Sequence, residues 1–438
     1  MTRYRVLVVD DSAFMRAIVS DLVTKDEQFE VVATASNGKE AIDAVDTFKP
    51  DAVTMDLEMP VMNGLEALKQ IMAVRPLPVI MLSGISDENT RDTIKALQSG
   101  AFDFIRKPAI DGSVDIEQVG GQLLDKLRIA VLVGRSRLKP EARKPTSLEA
   151  AMPPADRKRP GGKPAAKAEL TEAADRAGTS KRAAKSAQEN GSSGSSPQVE
   201  KTAKAATKPA KPAASKEKQE QSVKAAVIPS EPAETGVSNN KPKGSTVFDS
   251  VVLIGTSTGG PKALHEVICS LPSKLAAPVL VVQHMPPNFT RSLAQRLDAF
   301  SAVRVTEAVQ GERVETGTVY IAPGGYHMEL AKDRSGYYVN LTLEEARSGH
   351  RPSVDVLFES AVRYSELNRH AVIMTGMGSD GAKGMKALRD SGARTTIAES
   401  EQTCVVYGMP RSAVEIGAVT DVLPLSRIAG FLASALGK

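Results

Sequence analysis

Cysteine is scarce in this sequence and long apolar runs are absent, and each of these two features excludes a class of protein. The 438 residues include two cysteines and no tryptophan. Cys269 and Cys404 lie far apart, so we expect neither a disulfide framework nor a cysteine metal site, and we expect a cytoplasmic protein. No run of about 18 apolar residues occurs, so we expect no membrane span.

Histidine is also scarce. None of the five histidines is paired at the spacing that zinc ligands use, so a zinc hydrolase is not expected. They are His265, His284, His327, His350 and His370.

The net charge of +4 hides an uneven distribution. Residues 137–246 contain 22 Lys/Arg and 12 Asp/Glu, a net +10, which leaves −6 for the rest of the chain. The same segment has no aromatic residue and is rich in Ala, Lys, Pro and Ser, so it cannot bury enough apolar surface to fold. We therefore predict a disordered linker at 136–246. Because the excess basic charge lies there, no nucleic-acid partner is expected.

Both flanking regions alternate short apolar runs with amphipathic stretches, which predicts α/β domains with doubly wound parallel sheets at 1–135 and 247–438. In the first region the predicted strands are 5–9, 30–33, 52–55, 79–82 and 102–105. The predicted helices there include 13–25, 38–48, 64–74 and 87–99. In the second region the predicted strands are 250–255, 278–283, 302–306, 317–322, 337–343, 370–375 and 394–398.

Polar residues lie at the strand ends of the first domain. Asp10 and Asp11 follow the first strand, and Asp56 follows the third. Ser83 ends the fourth, and Lys107 follows the fifth. The carboxyl ends of parallel strands share one edge of the sheet, and three carboxylates there favour a hard cation such as Mg²⁺. Any one of these residues alone is typical of a turn or a helix cap, but five at matching strand ends are not.

These motifs resemble the receiver domain of bacterial response regulators, which has a flavodoxin-like fold. The resemblance implies that Asp56 accepts a phosphoryl group from a chemotaxis histidine kinase, with Mg²⁺ held by Asp10, Asp11 and Asp56. The implied switch residues are Ser83, Phe104 and Lys107. The motifs that carry the resemblance are Val8-Val-Asp-Asp-Ser12, Met55-Asp-Leu-Glu-Met-Pro60, Leu82-Ser-Gly84 and Asp103-Phe-Ile-Arg-Lys-Pro108.

The second domain begins with an apolar strand that runs into Gly255-Thr-Ser-Thr-Gly259, a match to the G-x-S-x-G nucleophile pattern. His284 and Asp380 follow two other apolar strands, so both are expected at the same sheet edge as Ser257. A serine needs an imidazole to take its proton, and the imidazole needs a carboxylate to orient it. Backbone N–H groups in the two glycine-rich turns could form an oxyanion hole. The candidates are Thr258, Met377 and Gly378.

A phosphate-binding loop is the competing interpretation of the same glycine-rich turn. It needs G-x-x-x-x-G-K-[ST], but Pro261 follows Gly260 and Lys262 comes one residue late. Two further alternatives stay open, a non-enzymatic output domain and a small-molecule esterase with the same triad. The segment His350–Asp355 either shapes a substrate groove or caps a helix.

The motifs around Ser257, His284, His350 and Asp380 together resemble chemotaxis protein-glutamate methylesterases, whose catalytic domain is Rossmann-like. The resemblance implies hydrolysis of glutamate γ-methyl esters on methyl-accepting chemotaxis receptors, often with deamidation of specific glutamines. It implies Ser257 as nucleophile, His284 as base and then acid, and Asp380 as orienting acid. No cofactor is expected for hydrolysis, and we expect a monomer. Unphosphorylated, the receiver would cover the Ser257 edge, although a linker of about 110 residues holds it there only weakly unless the interface is substantial.

Overall fold

A computed structural model describes residues 3–84, 86–107, 116–138, 241 and 244–437. The linker predicted for 136–246 lies almost entirely outside the described residues. The described parts of the N-terminal and C-terminal regions belong to one compact unit. Within them, no helix is both long and apolar enough to cross a membrane.

The N-terminal domain alternates strands and helices around a five-stranded parallel sheet. Its order is β2-β1-β3-β4-β5, which is the flavodoxin-like order and confirms the predicted fold. The elements are β1 (Tyr4–Val9), α1 (Ala13–Thr24), β2 (Phe29–Ala35), α2 (Gly38–Phe48), β3 (Ala52–Asp56), α3 (Gly64–Val74), β4 (Val79–Ser83), α4 (Asp87–Gln98), β5 (Asp103–Arg106) and α5 (Ile116–Leu138).

Side-chain caps explain where the helices of this domain begin. A serine or asparagine oxygen accepts a backbone N–H of the first turn, which would otherwise lack a partner. The capping residues of α1 to α4 are Ser12, Asn37, Asn63 and Ser86. Helices α1, α2 and α4 begin three or four residues after the preceding strand ends, and α3 begins eight residues after β3.

The C-terminal domain is built on a seven-stranded parallel sheet of order β14-β13-β12-β6-β7-β9-β8. Its elements are β6 (Ser250–Thr256), α6 (Gly260–Cys269), β7 (Val279–Gln283), α7 (Phe289–Phe300), β8 (Arg304–Glu307), β9 (Thr318–Ile321), β10 (His327–Asp333), β11 (Gly336–Thr342), α8 (Val354–Val362), β12 (Asn368–Ile373), α9 (Ala382–Asp390), β13 (Thr395–Glu399), α10 (Met409–Glu415), β14 (Asp421–Leu423) and α11 (Leu425–Leu436).

Three strands differ from the sequence prediction. The strand predicted at 337–343 is β11, but it lies outside the main sheet and pairs antiparallel with β10, which was not predicted. Only two residues separate β10 from β11, and parallel strands would need a long crossover. The three-residue edge strand β14 was also missed, since so short a run carries no periodic signal.

The sheet reverses its winding direction between β6 and β12. From β6 the chain builds outward through β7, and it returns later to place β12 on the other side of β6. Ligands of doubly wound sheets bind in the crevice at such a point, outside the carboxyl ends of the strands. The turns after β6, β7 and β12 carry Ser257, His284 and Asp380.

Candidate active site and acidic pocket

Ser257 lies in the tight turn between β6 and α6. Its N–H donates to the Thr375 carbonyl across the crevice at 3.1 Å, and its own carbonyl accepts the Gly260 N–H at 2.8 Å. Gly259 caps α6 with φ of 81°, a left-handed conformation that favours glycine. The turn leaves Ser257 partly exposed in a cleft of about 670 Å³.

His284 follows β7, and its side chain is 5% exposed. Its Nε2 lies 2.8 Å from Asp380 Oδ2. Its Nδ1 is buried and has no hydrogen-bond partner among the described residues. Since Ser257 and His284 line the same cleft, Nδ1 is the ring nitrogen available to the serine hydroxyl.

Asp380 is buried at the N-terminus of α8. Ser353 Oγ donates to Oδ1 at 2.8 Å, and the Val354 N–H donates to Oδ2 at 2.7 Å. Burial alone would raise the pKa of this carboxyl, but the hydrogen bonds from His284, Val354 and Ser353 and the charge of the imidazole hold the pKa at about 2. Asp380 therefore stays ionised and can stabilise an imidazolium at His284.

The three predicted oxyanion-hole residues line the cleft beside Ser257. Gly378 has φ of 82°, and Met377 is 41% exposed. Among the described residues, no acceptor is assigned to the backbone N–H of Thr258, Met377 or Gly378. The glycine-rich turns thus present free donors to the cleft, as an oxyanion requires.

The N-terminal domain closes one side of this cleft. The Thr258 hydroxyl donates to Asp103 Oδ2 at 2.6 Å, and Lys126 Nζ lies 2.5 Å from the same oxygen. The rings of Phe104 and Phe289 stack with centroids 4.6 Å apart. Thr258, the residue after Ser257, is therefore bonded directly to the N-terminal domain.

The three acidic residues of the N-terminal domain meet as predicted. One carboxylate oxygen from each of Asp10, Asp11 and Asp56 lies within 4.8 Å of the others. Lys107 Nζ lies 2.6 Å from Asp56 Oδ2 and 2.9 Å from Asp10 Oδ2. Burial raises the pKa of Asp56 to about 6, although Lys107 opposes the shift. An all-oxygen donor set that repels itself fits a hard cation such as Mg²⁺.

The predicted switch residue Ser83 connects this pocket to α4. Its hydroxyl lies 2.6 Å from Thr93 Oγ1. One turn earlier on α4, Thr90 Oγ1 lies 2.7 Å from Ser292 Oγ on α7. At the end of α4, Arg296 on α7 donates to Gln98 at 3.0 Å. A single helix therefore contacts both Ser83 and the C-terminal domain.

Sequence reasoning missed the contact of His350 with His284. The His350 ring stacks on His284 with centroids 3.8 Å apart and planes 9° apart. Burial, with a smaller effect of His284, lowers the pKa of His350 to about 4, so the ring is neutral at pH 7. No periodic pattern in the sequence predicts that this loop residue lies over His284.

The segment His350–Asp355 shows both features considered for it. His350 and Arg351 line the cleft, while Ser353 caps α8 and also donates to Asp380. His327 is buried on β10, where its Nδ1 accepts the Ser353 N–H at 3.2 Å. Its Nε2 lies 3.0 Å from the Glu345 carbonyl oxygen, so both ring nitrogens of His327 have partners.

Comparisons with known proteins cover both halves of the chain. The family model described as CheB methylesterase matches residues 252–432, and that described as response regulator receiver domain matches residues 6–114. A protein-glutamate methylesterase/protein-glutamine glutaminase of Geobacillus kaustophilus is 38% identical, with all of both chains covered. That of Bacillus subtilis is 39% identical over 99% of each chain.

Among solved structures, the chain resembles the methylesterase catalytic domain of Thermotoga maritima CheB. The two share 44% sequence identity with a TM-score of 0.41, and the match covers 43% of this chain and 99% of that one.

Proposed function

Because the chain belongs to the family of protein-glutamate methylesterases/protein-glutamine glutaminases, we propose that Ser257, His284 and Asp380 carry out its ester hydrolysis. The chain is a phosphorylation-regulated enzyme of bacterial chemotaxis that hydrolyses glutamate γ-methyl esters. The observation that carries the residue assignment is the geometry of His284. Asp380 Oδ2 lies 2.8 Å from one ring nitrogen, and the other has no hydrogen-bond partner in the part of the chain that the structure describes and lies in the cleft that Ser257 lines.

The reaction proceeds through an acyl-enzyme. Ser257 Oγ attacks the ester carbonyl while His284 Nδ1 takes its proton, and Asp380 stabilises the imidazolium. The N–H groups of Thr258, Met377 and Gly378 donate to the oxyanion that forms.

Collapse of this intermediate releases methanol, which takes its proton from His284. Water then attacks the acyl-enzyme while His284 takes its proton. The proton returns to Ser257 Oγ as the glutamate carboxylate is released. A glutamine side chain follows the same steps with ammonia as the leaving group, so deamidation requires no further residue.

The receiver spans 1–135 in this proposal, the linker 136–246 and the catalytic domain 247–438. Methyl-accepting chemotaxis receptors are the substrates, and a chemotaxis histidine kinase in the cytoplasm supplies the phosphoryl group to Asp56. Asp10, Asp11 and Asp56 would hold Mg²⁺, which neutralises charge on the phosphoryl oxygens. Lys107, already 2.6 Å from Asp56, would pair with one of them.

Phosphorylation would release the catalytic domain through α4 and β5. Ser83 is bonded to Thr93 on α4, and Phe104 on β5 stacks on Phe289. A phosphoryl group at Asp56 would offer Ser83 a charged acceptor in place of Thr93, which frees α4 to move against α7. The Asp103–Thr258 bond would then break and open the cleft.

The residue assignment is tested by methanol release from methylated receptors. Ser257→Ala in the full chain is expected to abolish release with or without acetyl phosphate. Ser270→Ala is the matched control, because the exposed Ser270 hydroxyl donates to the Glu266 carbonyl of α6 at 2.8 Å. A Ser257→Ala protein that still released methanol would refute the nucleophile assignment.

A further inference from the structure

Gln283 is the last residue of β7 and directly precedes the base. It is 2% exposed, so its carboxamide is removed from water. Its Nε2 donates to the carbonyl of Ser257 at 3.0 Å and to the carbonyl of His284 at 3.2 Å. One amide group therefore contacts the backbone of both the nucleophile and the base.

The backbone ladder between the two strands ends just before these residues. The β6–β7 register runs to Thr256 and Gln283, and the His284 N–H donates to the Thr256 carbonyl at 3.2 Å. Beyond that point each strand turns toward its helix, and the sheet no longer sets the distance between the turns. The Gln283 side chain continues the connection where the ladder stops.

The neighbouring residues hold the carboxamide in this position. A Cβ at Gly260 would lie 2.0 Å from Gln283 Oε1 and 2.3 Å from Thr256 Oγ1, so only glycine leaves the required space. Oε1 is buried without a hydrogen-bond partner among the described residues. An unpaired buried acceptor is unfavourable for folding, so stability alone does not account for an amide here.

We propose that Gln283 is a positioning residue that fixes the separation of Ser257 and His284 through its two N–H bonds. This inference rests on the proposed function of Ser257 and His284. It predicts that losing the donors disturbs proton transfer from serine to imidazole without weakening substrate binding. Misplacement by about 1 Å at a reacting group is typically associated with a 100-fold loss of rate.

Two variants of the full chain test the proposal. Gln283→Leu removes both donors at similar volume. Gln283→Glu keeps the shape, but an ionised carboxylate only accepts and so repels both carbonyls. Gln310→Leu is the matched control, because Gln310 bonds Asn340 and the Leu341 N–H on the hairpin, away from the cleft.

For both Gln283 variants we expect kcat for methanol release to fall about 10- to 100-fold with KM within about 2-fold. The rate at which a fluorophosphonate labels Ser257 should fall by a similar factor, and thermal unfolding shows whether each protein is folded. If Gln283→Leu does not fold, the proposal is tested with Gln283→Glu.

Wild-type kcat in a folded Gln283 variant would overturn the proposal. So would an equal loss of kcat in Gln310→Leu, or a raised KM with unchanged kcat. These outcomes differ from a failure of the proposed function, which would show as methanol release by the Ser257→Ala protein.

Discussion

The hydrogen bond between Asp103 and Thr258 joins the receiver to the turn that carries Ser257, so its removal should raise the basal activity. Asp103 is buried, and its Oδ2 accepts from the Thr258 hydroxyl at 2.6 Å. A hydrogen bond to a charged acceptor contributes about 1.5–3 kcal/mol. Each 1.4 kcal/mol is tenfold in an equilibrium, so Asp103→Ala should favour the open state by about 10- to 150-fold.

The assay is methanol release from methylated receptor without a phosphodonor. The rate should rise toward that of the phosphorylated wild type, which sets the upper limit. Thr258→Val keeps the backbone N–H but loses the same hydrogen bond. The basal rate of the double variant Asp103→Ala/Thr258→Val should therefore be little higher than that of Asp103→Ala alone.

Asp51→Ala is the control, because Asp51 accepts the Arg5 N–H between the inner strands β1 and β3 of the receiver sheet. An unchanged basal rate in Asp103→Ala, with activation by acetyl phosphate intact, would refute the assignment of this bond as an inhibitory contact.

Three further predictions concern other parts of the chain. Thr93→Val removes the partner of Ser83, so activation should need less acetyl phosphate; an unchanged activation curve would contradict this. His350→Ala removes the ring stacked on His284, and since such a pair contributes about 0.5–1.5 kcal/mol, kcat should fall about 2- to 13-fold. His350→Phe keeps an aromatic ring and should keep most of kcat. Equal kcat in both variants would exclude a role for stacking. Burial lowers the pKa of His370 to about 4 from 6.5, so protonation favours the unfolded chain and the stability due to the neutral ring is lost as pH falls from 6.5 toward 4. The unfolding free energy of wild type relative to His370→Gln should therefore drop by about 1 kcal/mol per pH unit in urea titrations from pH 6.5 to 5, and a constant difference would contradict the assignment.

The sheets and the residues at their carboxyl edge could be predicted because one rule places them. Parallel strands end at a common edge, so Ser257, His284 and Asp380 were expected together before any contact was known. The helices predicted at 38–48 and 64–74 from their amphipathic pattern are α2 and α3, and the structure adds that each begins after an asparagine cap.

Other parts of the site could not be predicted, because no periodicity determines them. His350 reaches His284 from a loop that follows the hairpin β10–β11, outside the sheet. Ser353 and His327 support Asp380 only through the packing of that hairpin and α8. The Asp103–Thr258 bond joins residues 155 positions apart, and its formation depends on how two separately built sheets meet.

The central claim is that Ser257 is an activated nucleophile that the receiver covers until Asp56 is phosphorylated. Its most direct test is the rate at which a fluorophosphonate labels the full-length protein with and without acetyl phosphate, with the labelled residue identified by mass spectrometry. We predict labelling of Ser257, faster with acetyl phosphate. Labelling at another residue, or a Ser257 rate that acetyl phosphate leaves unchanged, would contradict the account.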